Sequence, residues 1–223
     1  MTDATDDEAA RQIAALELDP DRPLIISDAD EVIADFMGGL ESYMQTQGYY
    51  FNWASYRLNE NIRRKSDHEA ADRDEVFKLI GNFFAARIDS LDPIADAIET
   101  LGALSARATI VVLSNQPFEL RDRRRQWLED FGLDVPLVTN DGPKGPAVQA
   151  LIQGIAAPVY FLDDSPSHHT SVAADADRVF RIHFVANSGL APLIKTAPDC
   201  HERAGSWREA RGFIEGDLAA RGY

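Results

Sequence analysis

Three apolar runs of strand length, each ending on polar side chains, constrain this chain more than any other feature. Pro23-Leu24-Ile25-Ile26 leads into Ser27-Asp28-Ala29-Asp30-Glu31-Val32, Thr109 to Leu113 leads into Ser114-Asn115, and Pro158 to Leu162 leads into Asp163-Asp164. An open parallel sheet places its ligand site where strands end in this way. The expected fold class is therefore α/β, a Rossmann-like parallel sheet with helices on both faces. A fourth polar segment, Pro143-Lys144-Gly145, supplies the one lysine in the set.

Ser114 lies 86 positions beyond Asp28, far more than one crossover helix needs, so an insertion follows the first strand. It opens with an amphipathic stretch from Met37 to Met44 and passes through the aromatic cluster Tyr49-Tyr50-Phe51-Asn52-Trp53. A charged run around Arg63-Arg64-Lys65 follows, and a second helical pattern carries Val76, Leu79, Ile80, Phe83 and Phe84. Residues 36–90 are expected to form a small, mostly helical module, with 22–35 and 91–223 as the core and 1–21 as an acidic segment that reads either as a short helix docked on the body or as a frayed tail. Asp92-Pro93 suit the cap and first position of a helix through Ile94, Ala97, Ile98, Leu101 and Leu104. Pro117 starts a helix whose basic run, Arg121, Arg123, Arg124 and Arg125, reads as a solvated face. Val179 to Ile182 reads as the last core strand, and Trp207, Ala210, Ile214 and Leu218 share one helical face.

Bulk properties narrow the function classes. A 45% hydrophobic content supports a buried core, and a net charge of -15 repels nucleic acid and anionic membranes, so neither is an expected partner. No apolar run approaches the roughly 18 residues of a membrane span, and Met1 to Glu8 lack the basic and apolar regions of a signal peptide. The single cysteine, Cys200, has no partner for an internal disulfide, in keeping with an expected cytoplasmic location. A small phosphate remains compatible with the charge, because one lysine and a divalent ion reverse the sign locally.

The four polar segments, in this order, resemble the motifs of the haloacid dehalogenase superfamily, mostly magnesium-dependent phosphohydrolases. The resemblance runs over residues 22 to 183 and implies a hydrolase with a C1-type cap after the first strand. It implies that Asp28 is the nucleophile and Asp30 the general acid and base, with Ser114 and Asn115 holding phosphate oxygens. It makes Lys144 the neutralising cation and assigns Mg²⁺ to Asp28, the Asp30 backbone carbonyl and Asp163, with Asp164 through water. Two unit charges 4 Å apart repel by about 4 kcal/mol at an effective dielectric of 20, so so many carboxylates around a phosphate require such an ion. Many members have Gly where this chain has Glu31. The substrate implied is a small phosphorylated metabolite. A dehalogenase needs no acid at the second Asp, which Asp30 disfavours. Two other readings stay open, a phosphomutase on the same core and a catalytically degenerate binding or regulatory protein. His168 and His169 read as solvated or helix-capping residues, and His68 as a specificity candidate.

Overall fold

The computed structural model describes residues 3–55 and 58–223; Met1, Thr2, Tyr56 and Arg57, which belong to the expected N-terminal segment and insertion, lie outside the described residues. The sheet grows from the apolar runs. Strand β1 (Leu24–Ser27) is central, flanked by β4 (Thr109–Asn115) and β6 (Val159–Asp163). Beyond β4 lies β5 (Leu137–Asn140), and beyond β6 lie β7 (Phe180–Phe184) and β8 (Glu202–Ala204), with every pairing in this six-stranded sheet parallel. The chain moves outward from β1 through β4 to β5, then returns to the other side of β1 for β6. That reversal is the switch point at which open α/β sheets bind ligands.

Alternation along the strands builds two cores. Ile25, Ile110, Val112, Tyr160 and Leu162 face one side, where α5 (Ala97–Leu104), α6 (Arg121–Asp130) and α9 (Trp207–Ala220) cover them. Leu24, Ile26, Val111, Leu113 and Phe161 face the other side, under α1 (Asp3–Ala14), α7 (Gly145–Leu151) and α8 (Pro166–Asp175). Trp207, Ala210, Ile214 and Leu218 are all fully buried on α9. Burial of a large apolar side chain contributes about 1.5–3 kcal/mol, so three such residues outweigh the cost of ordering one helix end.

The N-terminal segment is not a frayed tail. Helix α1 packs on β5 and α7, Ala9 joins the second core, and Gln12 Oε1 accepts the Thr139 amide at 2.8 Å. Three apolar side chains spaced along a short acidic segment were enough for docking, because Ile13, Leu16 and Leu18 all pack on that core. One boundary also moves, and one strand is added. Helix α5 starts at Ala97, while Pro93 pairs with Ala34 in an antiparallel bridge, held by Asp35 N to Asp92 O at 2.9 Å and Ile94 N to Ile33 O at 2.7 Å. Strand β7 is followed by β8, whose three residues are too short and too polar at Glu202 and Arg203 to show a strand pattern.

Between β1 and β4 stand α2 (Phe36–Thr46), β2 (Tyr49–Phe51), α3 (Leu58–Asn61), β3 (Ile62–Arg64) and α4 (Arg73–Arg87). The antiparallel β2–β3 pair was not anticipated; the first three residues of the aromatic cluster, Tyr49–Phe51, are themselves a strand. Helices α2 and α4 join through Phe36, Met37, Leu40, Leu79 and Phe83, and Asp72 with Glu75 forms a capping box that starts α4. No helix among the described residues is long and apolar enough to cross a membrane.

Candidate active site

Register brings the predicted carboxylates together. Ser27 pairs with Leu162, so Asp28 stands level with Asp163 on the neighbouring strand, and the Asp28 amide extends the ladder to Leu162 O at 2.9 Å. Lys144 reaches both from the start of α7. Its ammonium lies 2.8 Å from Asp28 Oδ2 and donates to Asp163 Oδ2 at 2.7 Å, with no exposure to solvent. Gly145 is what lets α7 start so close to α8: its amide donates to Ser171 Oγ, and a Cβ there would overlap Ser171 O and the Asp175 carboxylate. The remaining oxygens are also engaged, Asp28 Oδ1 by the Ala29 amide at 2.7 Å and Asp163 Oδ1 by the Ser165 amide at 2.9 Å.

Ligand atoms of Asp28, Asp163 and Asp164 all lie within 4.8 Å of one another, and the buried Lys144 ammonium bridges the first two. Burial raises the Asp28 carboxyl to about 7 against the pull of Lys144, with Asp163 and Asp30 pushing the same way. Burial also disfavours the Lys144 charge, but Asp163 and Asp28 more than offset it and hold the ammonium above its ordinary range. Asp163, closest to Lys144, is lowered despite its burial. A donor set made only of carboxylate oxygens fits a hard divalent cation.

Asp30 stands apart from that cluster. Its Oδ1 accepts from Arg124 Nη2 at 2.6 Å, and the guanidinium is completely buried. This corrects the reading of the basic run as a solvated face. Arg125 and Arg123 do reach solvent, but Arg124 shares a buried stripe with Trp127 and Leu128, at three- and four-residue spacing, and lies 5.2 Å from the Trp127 ring centroid. That spacing was visible in the sequence and was the signal for an inward arginine. The same helix grips the return of the insertion, through Arg123 to Asp89 at 2.7 Å and Trp127 Nε1 to Leu91 O at 2.9 Å.

The backbone around Asp30 explains the unusual Glu31. The turn closes through the Ile33 and Ala34 amides on Ala29 O, both at 2.8 Å, and this puts Glu31 at φ 59°. Glycine adopts that region freely, whereas other residues there cost about 1–2 kcal/mol. Glu31 offsets this with its side chain: Oε1 accepts the Met37 amide at 2.9 Å in the first turn of α2. Burial raises its carboxyl to about 7, with the Met37 bond opposing and Asp35 adding.

On β4 the Ser114 hydroxyl is buried and without a hydrogen-bond partner among the described residues. Both polar atoms of Gln116, buried two positions on, are likewise unpartnered. The Asn115 side chain is tied to β5, donating to Gly142 O and accepting from Asn140 at 2.8 Å each. Two histidines pin the acidic pair from behind. His169 Nε2 donates to Asp163 O and His183 Nε2 to Asp164 O, both at 2.9 Å, and both rings are buried. His169 is therefore neither solvated nor a helix cap, and His183 carried no motif; only its inward place in a strand covered on both faces marks it. His68 is exposed, bonded to Tyr50, and does not line the site. The cavity beside Asp28 holds about 240 Å³ and is lined by Asp30, Glu31, Asn115 and Asp164, with Phe36, Met37 and Phe84 from the insertion.

No sequence-family model matches the chain, and no curated protein does. Solved structures do. A HAD family hydrolase from Deinococcus radiodurans, with bound phosphate and sodium, gives a TM-score of 0.59 at 16% identity over 89% of this chain and 97% of its own. YfnB of Bacillus subtilis, assigned as a HAD-hydrolase and solved bound to magnesium, gives 0.60 at 12% identity, covering 87% and 99%. The L-2-haloacid dehalogenase PA0810 gives 0.57 at 13% identity, covering 87% and 99%. The chain has the haloacid dehalogenase-like fold. Because a dehalogenase shares that fold with hydrolases, the reaction has to be read from the site's own residues.

Proposed function

We propose that this protein is a Mg²⁺-dependent phosphohydrolase that cleaves small phosphomonoesters through an aspartyl-phosphate on Asp28. The observation that carries the reading is the convergence of the Asp28, Asp163 and Asp164 carboxylates at the sheet edge, with Lys144 bridging the first two. Asp28, Asp163, Asp164 and the Asp30 carbonyl would hold the ion, which when bound neutralises the carboxylates and polarises the phosphoryl oxygens. Asp28 attacks phosphorus and the ester P–O bond breaks. The departing alkoxide takes its proton from the Asp30 oxygen that Arg124 leaves unengaged. Asp30 then accepts a proton from the hydrolytic water as that water attacks phosphorus, which releases phosphate and restores Asp28.

Ser114, with a buried hydroxyl that meets no partner among the described residues, is suited to a phosphate oxygen, since a visiting acceptor removes the penalty of leaving it unpaired. Asn115 lines the same cavity. Residues 36–90 act as a cap over the core of 22–35 and 91–223, a role supported by the Phe36, Met37 and Phe84 side chains in the cavity wall. The test is release of phosphate from an aryl phosphate with and without Mg²⁺, using Asp28→Asn as the blank. Turnover that survives Asp28→Asn removes the nucleophile. Asp30→Asn is expected to slow alkyl phosphates more than aryl ones, because a phenolate leaves without a proton.

A further inference from the structure

Glu31 borders more than one space. It lines the cavity of about 240 Å³ beside Asp28, and it also lines a crevice of about 420 Å³. That crevice lies between the two segments that join residues 36–90 to the core, Asp35 and Pro93 to Asp96, and the core residues Asn187, Ser188 and Ser206. A void of about 10 Å³ shares Asp164 with the cavity and Asn187 with the crevice. Among the described residues, Glu31 alone lines all three. Its buried side chain is held in place, because the turn at φ 59° sets its direction and Oε1 accepts the Met37 amide at 2.9 Å. At about 240 Å³ the cavity on the Asp28 side falls below the roughly 300–1,000 Å³ of drug-sized pockets.

We infer that Glu31 is a specificity-determining partition that limits the substrates to phosphomonoesters of short alcohols, a role that rests on the phosphohydrolase reading and deepens it. The crevice beyond is a leaving-group subsite that this side chain closes. With the phosphate seated at Asp28, the leaving group lies among Phe36, Met37 and Phe84, and its space ends at the Glu31 carboxyl group. The Phe36 and Phe84 rings, 5.4 Å apart, accept the first methylene groups. A longer chain cannot continue inward without displacing Glu31, which strips the Met37 amide of its acceptor and breaks the contact that holds α2. Each methylene that is buried strengthens binding about fourfold, so chain length beyond Glu31 gains little while the partition stands and gains in full once it is removed.

Calorimetric binding of n-propylphosphonate and n-octylphosphonate to the Mg²⁺-loaded protein tests this. The unaltered protein is expected to prefer octyl over propyl by less than about tenfold. Glu31→Gln keeps the size of the side chain and the acceptor for Met37, and should stay below the same limit. Glu31→Gly should raise the preference to about tenfold or more, with Glu31→Ala in its place if the glycine variant does not fold. Ser188→Trp, at an exposed position of the crevice, should bring it back below about tenfold when added to the Glu31→Gly protein. That last variant separates an opened subsite from a loosened α2, which would admit the octyl chain whatever fills the crevice. Any other pattern overturns the inference. Aryl phosphate hydrolysis by the unaltered protein, measured in parallel, separates the two readings. Hydrolysis with another binding pattern defeats the partition alone, and the expected pattern without hydrolysis defeats the phosphohydrolase reading alone. Absence of both defeats both.

Discussion

The two sides of the site are finished to different degrees. On the β1–β6 side, Asp28 and Asp163 have both oxygens engaged, Lys144 bridges them, and His169 and His183 hold the carbonyls behind. On the β4 side, Ser114 and Gln116 bury a hydroxyl and an amide that meet no partner among the described residues. Buried polar groups are nearly always satisfied, so the Asp28 and Asp163 oxygens are held within the fold, whereas the Ser114 and Gln116 groups are organised for something that arrives. Mutations on the two sides should therefore differ in sign for stability and not only in size.

The largest effect is expected at Lys144. Lys144→Met leaves Asp28 and Asp163 facing each other without a cation, and breaking a buried pair in this way costs about 3–5 kcal/mol. Urea unfolding measures this, and saturating Mg²⁺ should restore part of the loss by binding the native state. A loss below about 1 kcal/mol in metal-free buffer would show that the bridge is not what holds this side together.

Arg124→Met should follow, at about 2–4 kcal/mol, since it strands a largely buried Asp30; that carboxylate is 17% exposed and retains some water. Arg124→Lys keeps the charge and should recover part of the stability, but not the guanidinium's placement of Asp30. The alkyl-to-aryl activity ratio is the diagnostic readout, expected to fall in both variants. An unchanged ratio would reduce Arg124 to a structural cation.

The histidine behind the acidic pair gives a pH signature. Burial lowers His183 to about 4 from an ordinary 6.5, with the bond to Asp164 O opposing. Its folded pKa lies below its unfolded one, so the unfolded chain binds more protons between them. The stability it contributes is full above pH 6.5 and is lost as pH falls from 6.5 through 4, about 1–2 kcal/mol of it by pH 5. His183→Gln should flatten that part of the stability profile relative to the parent protein, and parallel profiles would remove the assignment.

The smallest effect, with the opposite sign, belongs to Ser114. Ser114→Ala deletes an unsatisfied buried hydroxyl, so the metal-free fold should be unchanged or gain up to about 1 kcal/mol, while phosphate binding weakens. A destabilised Ser114→Ala protein would mean that the hydroxyl has a partner in the folded chain and that the contrast between the two sides is wrong.

How far the sequence reaches can be judged from particular residues. Asp28, Ser114 and Asp163 were legible because each ends an apolar run, and a parallel sheet has one edge at which all such ends meet. Lys144 was legible only as one member of an ordered set, since Pro-Lys-Gly alone describes any solvated turn. Arg124 was misread because charge dominates a local reading, whereas its burial depends on Asp30, 94 positions earlier. The docking of α1 was left open for a related reason: Ile13, Leu16 and Leu18 of that segment acquire value only against a core made by β5 and α7.

By itself, then, the amino-acid order determined the core strands β1, β4, β6 and β7, their direction and the edge that carries the carboxylates, because local periodicity and chain connectivity admit few other sheets. Only the tertiary structure decided which cation each carboxylate receives and that Glu31 adopts a left-handed turn to cap α2. It alone set Phe36, Met37 and Phe84 opposite the charges. Those outcomes depend on burial and on distances of a few ångströms between residues far apart in the chain, and electrostatic interactions change several-fold with both.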